Sequence, residues 1–313
     1  MSDSTIDPAP HDEALLQLLP TEQAAPGLGD LDTWSTPDLV GRLLDSQTSV
    51  TLALDRARTQ IEAAVDLAAA AVGSGGRLVY VGAGTAGRVA ALDAVECRPT
   101  FGVDADRVSA ILAGGASATD AAFEAAEDDA TGGRDAIDGL GLTGRDVVVG
   151  ITASGRTPFV AEALRAARAA GAVTIAVTNN HDTLVGRVAD HAVELLTGPE
   201  VVAGSTRLTA ATAQKIALNT ISTAAFVRCG RTYGAWMVGL QPTNAKLQAR
   251  ARRILLEASG RDEGTVARAL EEGRQPDVAA VMLLAGVGPD EASRRLDASS
   301  GHVRSAVQSA LGA

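Results

Sequence analysis

Apolar and polar positions in this 313-residue chain alternate in blocks that predict strands and helices in turn. Short continuous apolar runs stand at Leu78–Val81, Arg107–Leu112, Asp146–Thr152, Ala172–Thr178 and Ala192–Leu196. Continuous runs of this length, bounded by polar or glycine residues, fit strands buried on both faces of a parallel sheet. Between them lie segments with helical spacing, among them Ala118–Ala130, which Thr131-Gly132-Gly133 is read to stop, and Phe159–Ala170; Arg207–Cys229, with Ser205 and Thr206 as its expected caps, comes after the last strand. Leu31–Leu44 and the alanine-rich Gln47–Gly73 precede the first strand as further helices, and Thr243–Ala258 follows the last. Strands alternating with helices at this spacing predict an α/β fold with a doubly wound parallel sheet. After Gly260 the segments are short helices, Asp262–Glu272, Pro276–Ala285 and Pro289–Leu296, with a fourth read from Gly301. The expected organisation is a mobile arm over 1–30, a main domain with N-terminal helices over 31–258, and a small helical domain over 259–313.

Two strand-to-helix turns stand out. The first is Gly82-Ala83-Gly84-Thr85-Ala86-Gly87, followed by an alanine-rich helix and then Glu96-Cys97-Arg98-Pro99-Thr100, read as a polar loop. The second is Thr152-Ala153-Ser154-Gly155-Arg156-Thr157. The first N–H groups of a helix lack internal partners and lie at the positive end of its dipole, so either turn suits a phosphate. In a parallel sheet the carboxyl ends of the strands face one crevice, so both turns can address one ligand. The alternative for Ser154 and Thr157 is simple helix capping. The first turn also matches G-x-G-x-x-G. A dinucleotide site needs a carboxylate at the end of the second strand, and Ala113-Gly114-Gly115 stands there instead.

Composition narrows the partners. The net charge of −11 argues against nucleic acid, which needs a basic face. Aromatic residues are only 3% of the chain, so its core must be built from Ala, Val and Leu. Cys97 and Cys229 form no disulfide framework, which suits a reducing compartment. No signal peptide and no run of 18 apolar residues is evident, so a cytoplasmic protein away from membranes is expected. His181, His191 and His302 lack metal-ligand spacing, so neither a metal nor another cofactor is expected.

At these motifs the chain resembles the sugar isomerase (SIS) domain and, more specifically, the N-acetylmuramic acid 6-phosphate etherase family. The resemblance is carried by VGAGTAGR (Val81–Arg88), LDAVECRPTFG (Leu92–Gly102), EAAEDDATGG (Glu124–Gly133), DVVVGITASGRTPFV (Asp146–Val160) and GPEVVAGSTRLTAATAQKIALN (Gly198–Asn219). It implies an etherase that removes lactate from a 6-phosphosugar in cell-wall amino-sugar recycling. It also implies two catalytic glutamates: Glu96 as proton donor to the departing lactate, and Glu127 as the base at C2. Gly84, Thr85, Gly87, Thr152, Ser154, Gly155, Arg156, Thr157, Ser205 and Lys215 are the expected phosphosugar-binding residues. A homodimer is expected by the same resemblance. Ala86, Thr209 and Ala211 depart from the family pattern, which commonly has serine, lysine and glycine there. The alternative reading is a non-catalytic phosphosugar sensor on an SIS domain. An aldose–ketose isomerase on the same fold would give a ketose and no lactate.

Overall fold

The computed structural model describes residues 18–115, 125–273 and 275–312. The chain divides into two compact units. The first takes residues 1–64, 79–91 and 110–219; the second takes 65–78, 92–109 and 220–313.

Five strands form the sheet: β1 (Leu78–Gly82), β2 (Val108–Leu112), β3 (Val147–Thr152), β4 (Val173–Thr178) and β5 (His191–Glu194). Their order is β2-β1-β3-β4-β5. β3 and β4 pair in parallel from Val147↔Val173 to Thr152↔Thr178, and β5 continues parallel to β4. The order reverses between β1 and β3, which makes the sheet doubly wound and puts a crevice at their carboxyl ends. Every residue of β1 and β3 is buried, as expected for central strands covered on both faces.

The helices before the sheet are α1 (Thr36–Ser46), α2 (Thr48–Arg56) and α3 (Arg58–Gly73). Gln47–Gly73 is therefore two helices and not one. The interruption is a single residue, Ala57, with ψ near 3°. The backbone ladder continues through it, from Ala57 N to Ala53 O and from Ile61 N to Ala57 O. After the sheet begins come α4 (Gly84–Phe101), α5 (Ala130–Asp138), α6 (Pro158–Ala169), α7 (Leu184–Val188) and α8 (Thr209–Arg228).

Three local expectations change. Glu96–Thr100 is not a loop, because α4 runs to Phe101 with Pro99 inside it. Asp93, Ala94, Cys97 and Phe101 are all buried, and that helical spacing holds the segment against its unit despite its polar composition. Phe101 stacks on Phe226 with ring centroids 4.8 Å apart. The helix expected over Ala118–Ala130 lies partly outside the described residues, and Thr131-Gly132-Gly133 does not end a helix but lies in the first turn of α5. Asp129 caps that turn, its Oδ1 accepting from Gly132 N at 2.8 Å. A Cβ on Gly133 would stand 2.1 Å from Phe159 O, so the glycine marks where α5 meets α6. Nor is α8 capped by Ser205 or Thr206. The buried Glu200 carboxylate accepts from Thr209 N at 3.0 Å, Thr209 Oγ1 at 2.8 Å and Ala210 N at 2.9 Å.

The second unit ends in α9 (Ala245–Ser259), α10 (Glu263–Gly273), α11 (Pro276–Ala285), α12 (Pro289–Ala298) and α13 (Val303–Leu311). They share an apolar core that includes Leu240, Ile254, Leu255, Val266, Val281 and Val303. In this unit they join residues 65–78 and 92–109. Among the described residues, no helix is long and apolar enough to cross a membrane.

Candidate functional site

A cavity of ≈ 690 Å³ opens in the first unit at the point where the strand order reverses. Ala83–Ala86 line it from the end of β1, and Thr152–Ser154 and Thr157 line it from the end of β3.

The β3–α6 turn presents a cluster of hydroxyls. Thr152 Oγ1 lies 2.8 Å from Thr157 Oγ1 and 3.3 Å from Ser154 Oγ. Gly155 N donates to Thr152 Oγ1 at 3.3 Å, and Arg156 N donates to Ser154 Oγ at 3.2 Å. Thr157 precedes α6, yet its side chain makes no cap hydrogen bond. Capping therefore does not account for this hydroxyl, which is held in the cluster at the cavity wall. Asn180 braces the turn from below, its Nδ2 donating to Ala153 O at 3.0 Å and to Thr21 Oγ1 at 2.9 Å.

Gly155 has φ +73°, and a Cβ there would lie 2.2 Å from Thr183 Cγ2. Left-handed backbone costs an L-residue about 1–2 kcal/mol, and overpacking adds about 1–3 kcal/mol. Gly155→Ala is expected to lower the melting temperature by roughly 5–15 °C. A melt within 2 °C of wild type, read by circular dichroism, would show that the turn relaxes freely.

Glu127 enters the same cavity from a turn before α5. Its backbone is fixed to α6, where its carbonyl accepts from Phe159 N at 3.1 Å. Phe159 N is one of the helix-start donors that have no partner within their own helix. Its carboxylate is placed by the other turn. A Cβ on Gly84 would stand 2.7 Å from Glu127 Oε1, so only glycine lets the carboxylate approach the start of α4 so closely. The hydroxyl cluster and a carboxylate thus address one space, which suits proton transfer on a molecule anchored by its phosphate.

The remaining expected residues divide. Gly84, Thr85, Thr152, Ser154 and Thr157 line the cavity with Glu127. Gly87, Gly155, Arg156, Ser205 and Lys215 do not. Gly87 packs against Gly82, where a Cβ would meet Gly82 O at 2.8 Å. Lys215 is exposed on α8. Glu96 is exposed on α4, belongs to the second unit and is not among the lining residues. The structure adds Glu22, Arg88, Thr206 and Gln214 to the wall. Gln214 is buried and fixed by a 2.8 Å bond from Nε2 to Asn179 Oδ1. Glu22 comes from the segment expected to be an arm. Its neighbour Thr21 is fully buried.

Residues 60–168 match the glucokinase regulatory protein N-terminal SIS domain, and residues 138–224 match the SIS domain. The N-acetylmuramic acid 6-phosphate etherase of Mycolicibacterium smegmatis is 45% identical over 93% of this chain and 98% of its own length. That of Rubrobacter xylanophilus is 47% identical over 95% of this chain and 98% of its own. The chain belongs to the N-acetylmuramic acid 6-phosphate etherase family. The etherase of Deinococcus radiodurans is 44% identical over 91% of this chain and 93% of its own.

Of the three departures from the etherase pattern, only Ala86 borders the cavity. Thr209 is 1% exposed and spends both its N–H and its hydroxyl on Glu200. Ala211 is buried in α8. Thr209 therefore serves the start of α8, and Ala86 is the departure that changes the cavity wall.

Proposed function

We propose that this chain cleaves the lactyl ether of N-acetylmuramic acid 6-phosphate to give N-acetylglucosamine 6-phosphate and D-lactate. The observation that carries this reading is the Glu127 carboxylate set against Gly84 in the same cavity as the Thr152–Ser154–Thr157 hydroxyls. The name shared by relatives at 44–47% identity supports it.

In this mechanism the phosphate rests on the hydroxyl turn, and the sugar extends toward Gly84 and Glu127. The open-chain aldehyde acidifies the C2 proton. Glu127 removes that proton and the electron pair forms the C2–C3 double bond. The C3–O bond to lactate breaks as Glu96 protonates the departing ether oxygen. Water then adds across the double bond, its oxygen to C3 and a proton to C2. Two carboxyl groups in separate environments suit an acid and a base working at one pH.

A homodimer is part of the proposal. Leu92, Val95 and Glu96 stand at i, i+3 and i+4 of α4, so they share one face. Leu92 is 52% exposed and Val95 is 70% exposed. Covering each with a partner subunit is worth about 1.5–3 kcal/mol at full burial, and would withdraw Glu96 from water as well. The proposed setting is the cytoplasm, in recycling of cell-wall amino sugars.

The match to the glucokinase regulatory protein domain favours one second reading, a sensor that binds a phosphosugar without turnover. D-lactate release from N-acetylmuramic acid 6-phosphate separates the two. The etherase reading expects one lactate per N-acetylglucosamine 6-phosphate formed. A folded chain that binds the phosphosugar and releases no lactate would overturn it in favour of the sensor.

A further inference from the structure

A second cavity, of ≈ 470 Å³, lies wholly within the second unit, and the proposed reaction makes no use of it. Its polar wall is Arg107, Arg231, His302, Ser74, Ser299 and Ser300, with the thiol of Cys229 alongside. In a chain of net charge −11, no carboxylate lines it among the described residues. We propose that this cavity binds a phosphate group, free or as the monoester of a small metabolite.

The donors are held in place. Arg107 Nη1 donates to Gly76 O at 2.8 Å, which anchors one edge of the guanidinium and leaves its other donors to the cavity. Arg231 lies against Gly301, where a Cβ would be 3.0 Å from Nη1 and 3.1 Å from Cζ. The His302 ring lies on Gly230 in the same way, with Cγ 2.1 Å from the position of a Cβ. Both glycines have left-handed backbone, at φ +81° and +73°. His302 Nδ1 accepts from Ser305 N at 3.3 Å as the cap of α13, so the neutral ring carries its proton on Nε2 and is a donor there. Two guanidiniums, an imidazole N–H and the hydroxyls of Ser299 and Ser300 form a donor-rich set of charge and geometry suited to a phosphate dianion, whereas the Ser74 hydroxyl already donates to Ala71 O at 2.9 Å.

The charge balance is favourable. Asp277 interacts electrostatically with Arg231, but it is not in the wall, and its burial raises its pKa. Arg228, nearby, is already committed to an ion pair with Asp66. Burial raises the Cys229 thiol pKa, whereas Arg231, Arg228 and Arg107 pull it down, so the thiol senses a positive potential. The volume falls in the range of small-molecule sites, about 300–1,000 Å³, which leaves room for a monoester beyond its phosphate.

Cys229 supplies a reporter, because Cys97 is only 3% exposed. The full chain is treated with neutral N-ethylmaleimide at constant ionic strength, and modification of Cys229 is followed by mass spectrometry. Inorganic phosphate is expected to slow it several-fold in the wild type. Arg107→Gln or Arg231→Gln is expected to weaken that protection about tenfold or more, the loss of one charge-assisted hydrogen bond. Calorimetric titration with inorganic phosphate and with glucose 6-phosphate is the second measurement. Protection by both ligands assigns the phosphate group itself, and protection by the ester alone assigns a metabolite. Loss of one binding event per chain in Arg107→Gln, with lactate release unchanged, supports the site even if Arg231→Gln fails to fold. Equal modification rates with and without both ligands, or an isotherm that Arg107→Gln leaves unchanged, would overturn it.

Discussion

Glu127→Gln is expected to cut D-lactate release by about 10²- to 10⁴-fold, the usual contribution of a positioned general base. That corresponds to roughly 3–5 kcal/mol of transition-state stabilisation. The amide keeps the shape of the carboxylate, so it fits the same space beside Gly84, where Oε1 stands 2.7 Å from a Cβ position. Folding and the bond from Phe159 N to Glu127 O involve the backbone and are retained. Phosphosugar affinity is expected to change little, because the phosphate rests on the turn at Thr152, Ser154 and Thr157 in the proposed mechanism. The loss should therefore fall on kcat. Exchange of the C2 proton of N-acetylglucosamine 6-phosphate with deuterated water should vanish in parallel, since it uses the same base. A variant within tenfold of wild type in both assays would remove Glu127 from the chemistry.

The sheet was legible because buried parallel strands need continuous apolar sequence, and Val147–Thr152 and Val173–Thr178 offer little else. The hydroxyl turn was legible for a related reason. Three hydroxyl residues within Thr152–Thr157 at a strand end exceed what a cap requires, and Thr157 indeed bonds Thr152 rather than α6. What stayed hidden depends on contacts distant in sequence. Glu96–Thr100 carries charge and a proline, and only the burial of Cys97 and Phe101 tells that it is helix. Gly132 and Gly133 look like a stop until Phe159 O is found pressed against Gly133. Ser205 and Thr206 look like caps, but the cap of α8 comes from Glu200, which is nine residues from Thr209 and buried. Thr21 and Glu22 lie among prolines and acids, and it is Asn180, 159 residues away, that holds Thr21. Local propensity cannot report such partners, and tertiary contacts override it.

Glu96→Ala is expected to abolish lactate release while leaving C2 proton exchange on N-acetylglucosamine 6-phosphate within about tenfold of wild type. The split follows from the two bonds involved. Breaking C3–O expels an alkoxide-like oxygen, which needs a proton as it leaves, and loss of a positioned acid costs about 10²–10⁴-fold. Removal of the C2 proton from a sugar with no ether to expel needs only the base. Retained lactate release would end the acid role of Glu96, and loss of both reactions would make it a binding or folding residue. Its position adds a second arm to the test. In the single chain Glu96 is exposed beside Leu92 and Val95, whereas a carboxyl that donates near neutral pH is best withdrawn from water. If a partner subunit covers this face and Glu96 completes the partner's site, mixing Glu96→Ala with Glu127→Ala should restore activity. Random re-association of a two-fold dimer would give half heterodimers, each with one intact site, and so about a quarter of wild-type activity. No recovery from a mixture shown to exchange subunits would keep both glutamates within one chain's own site.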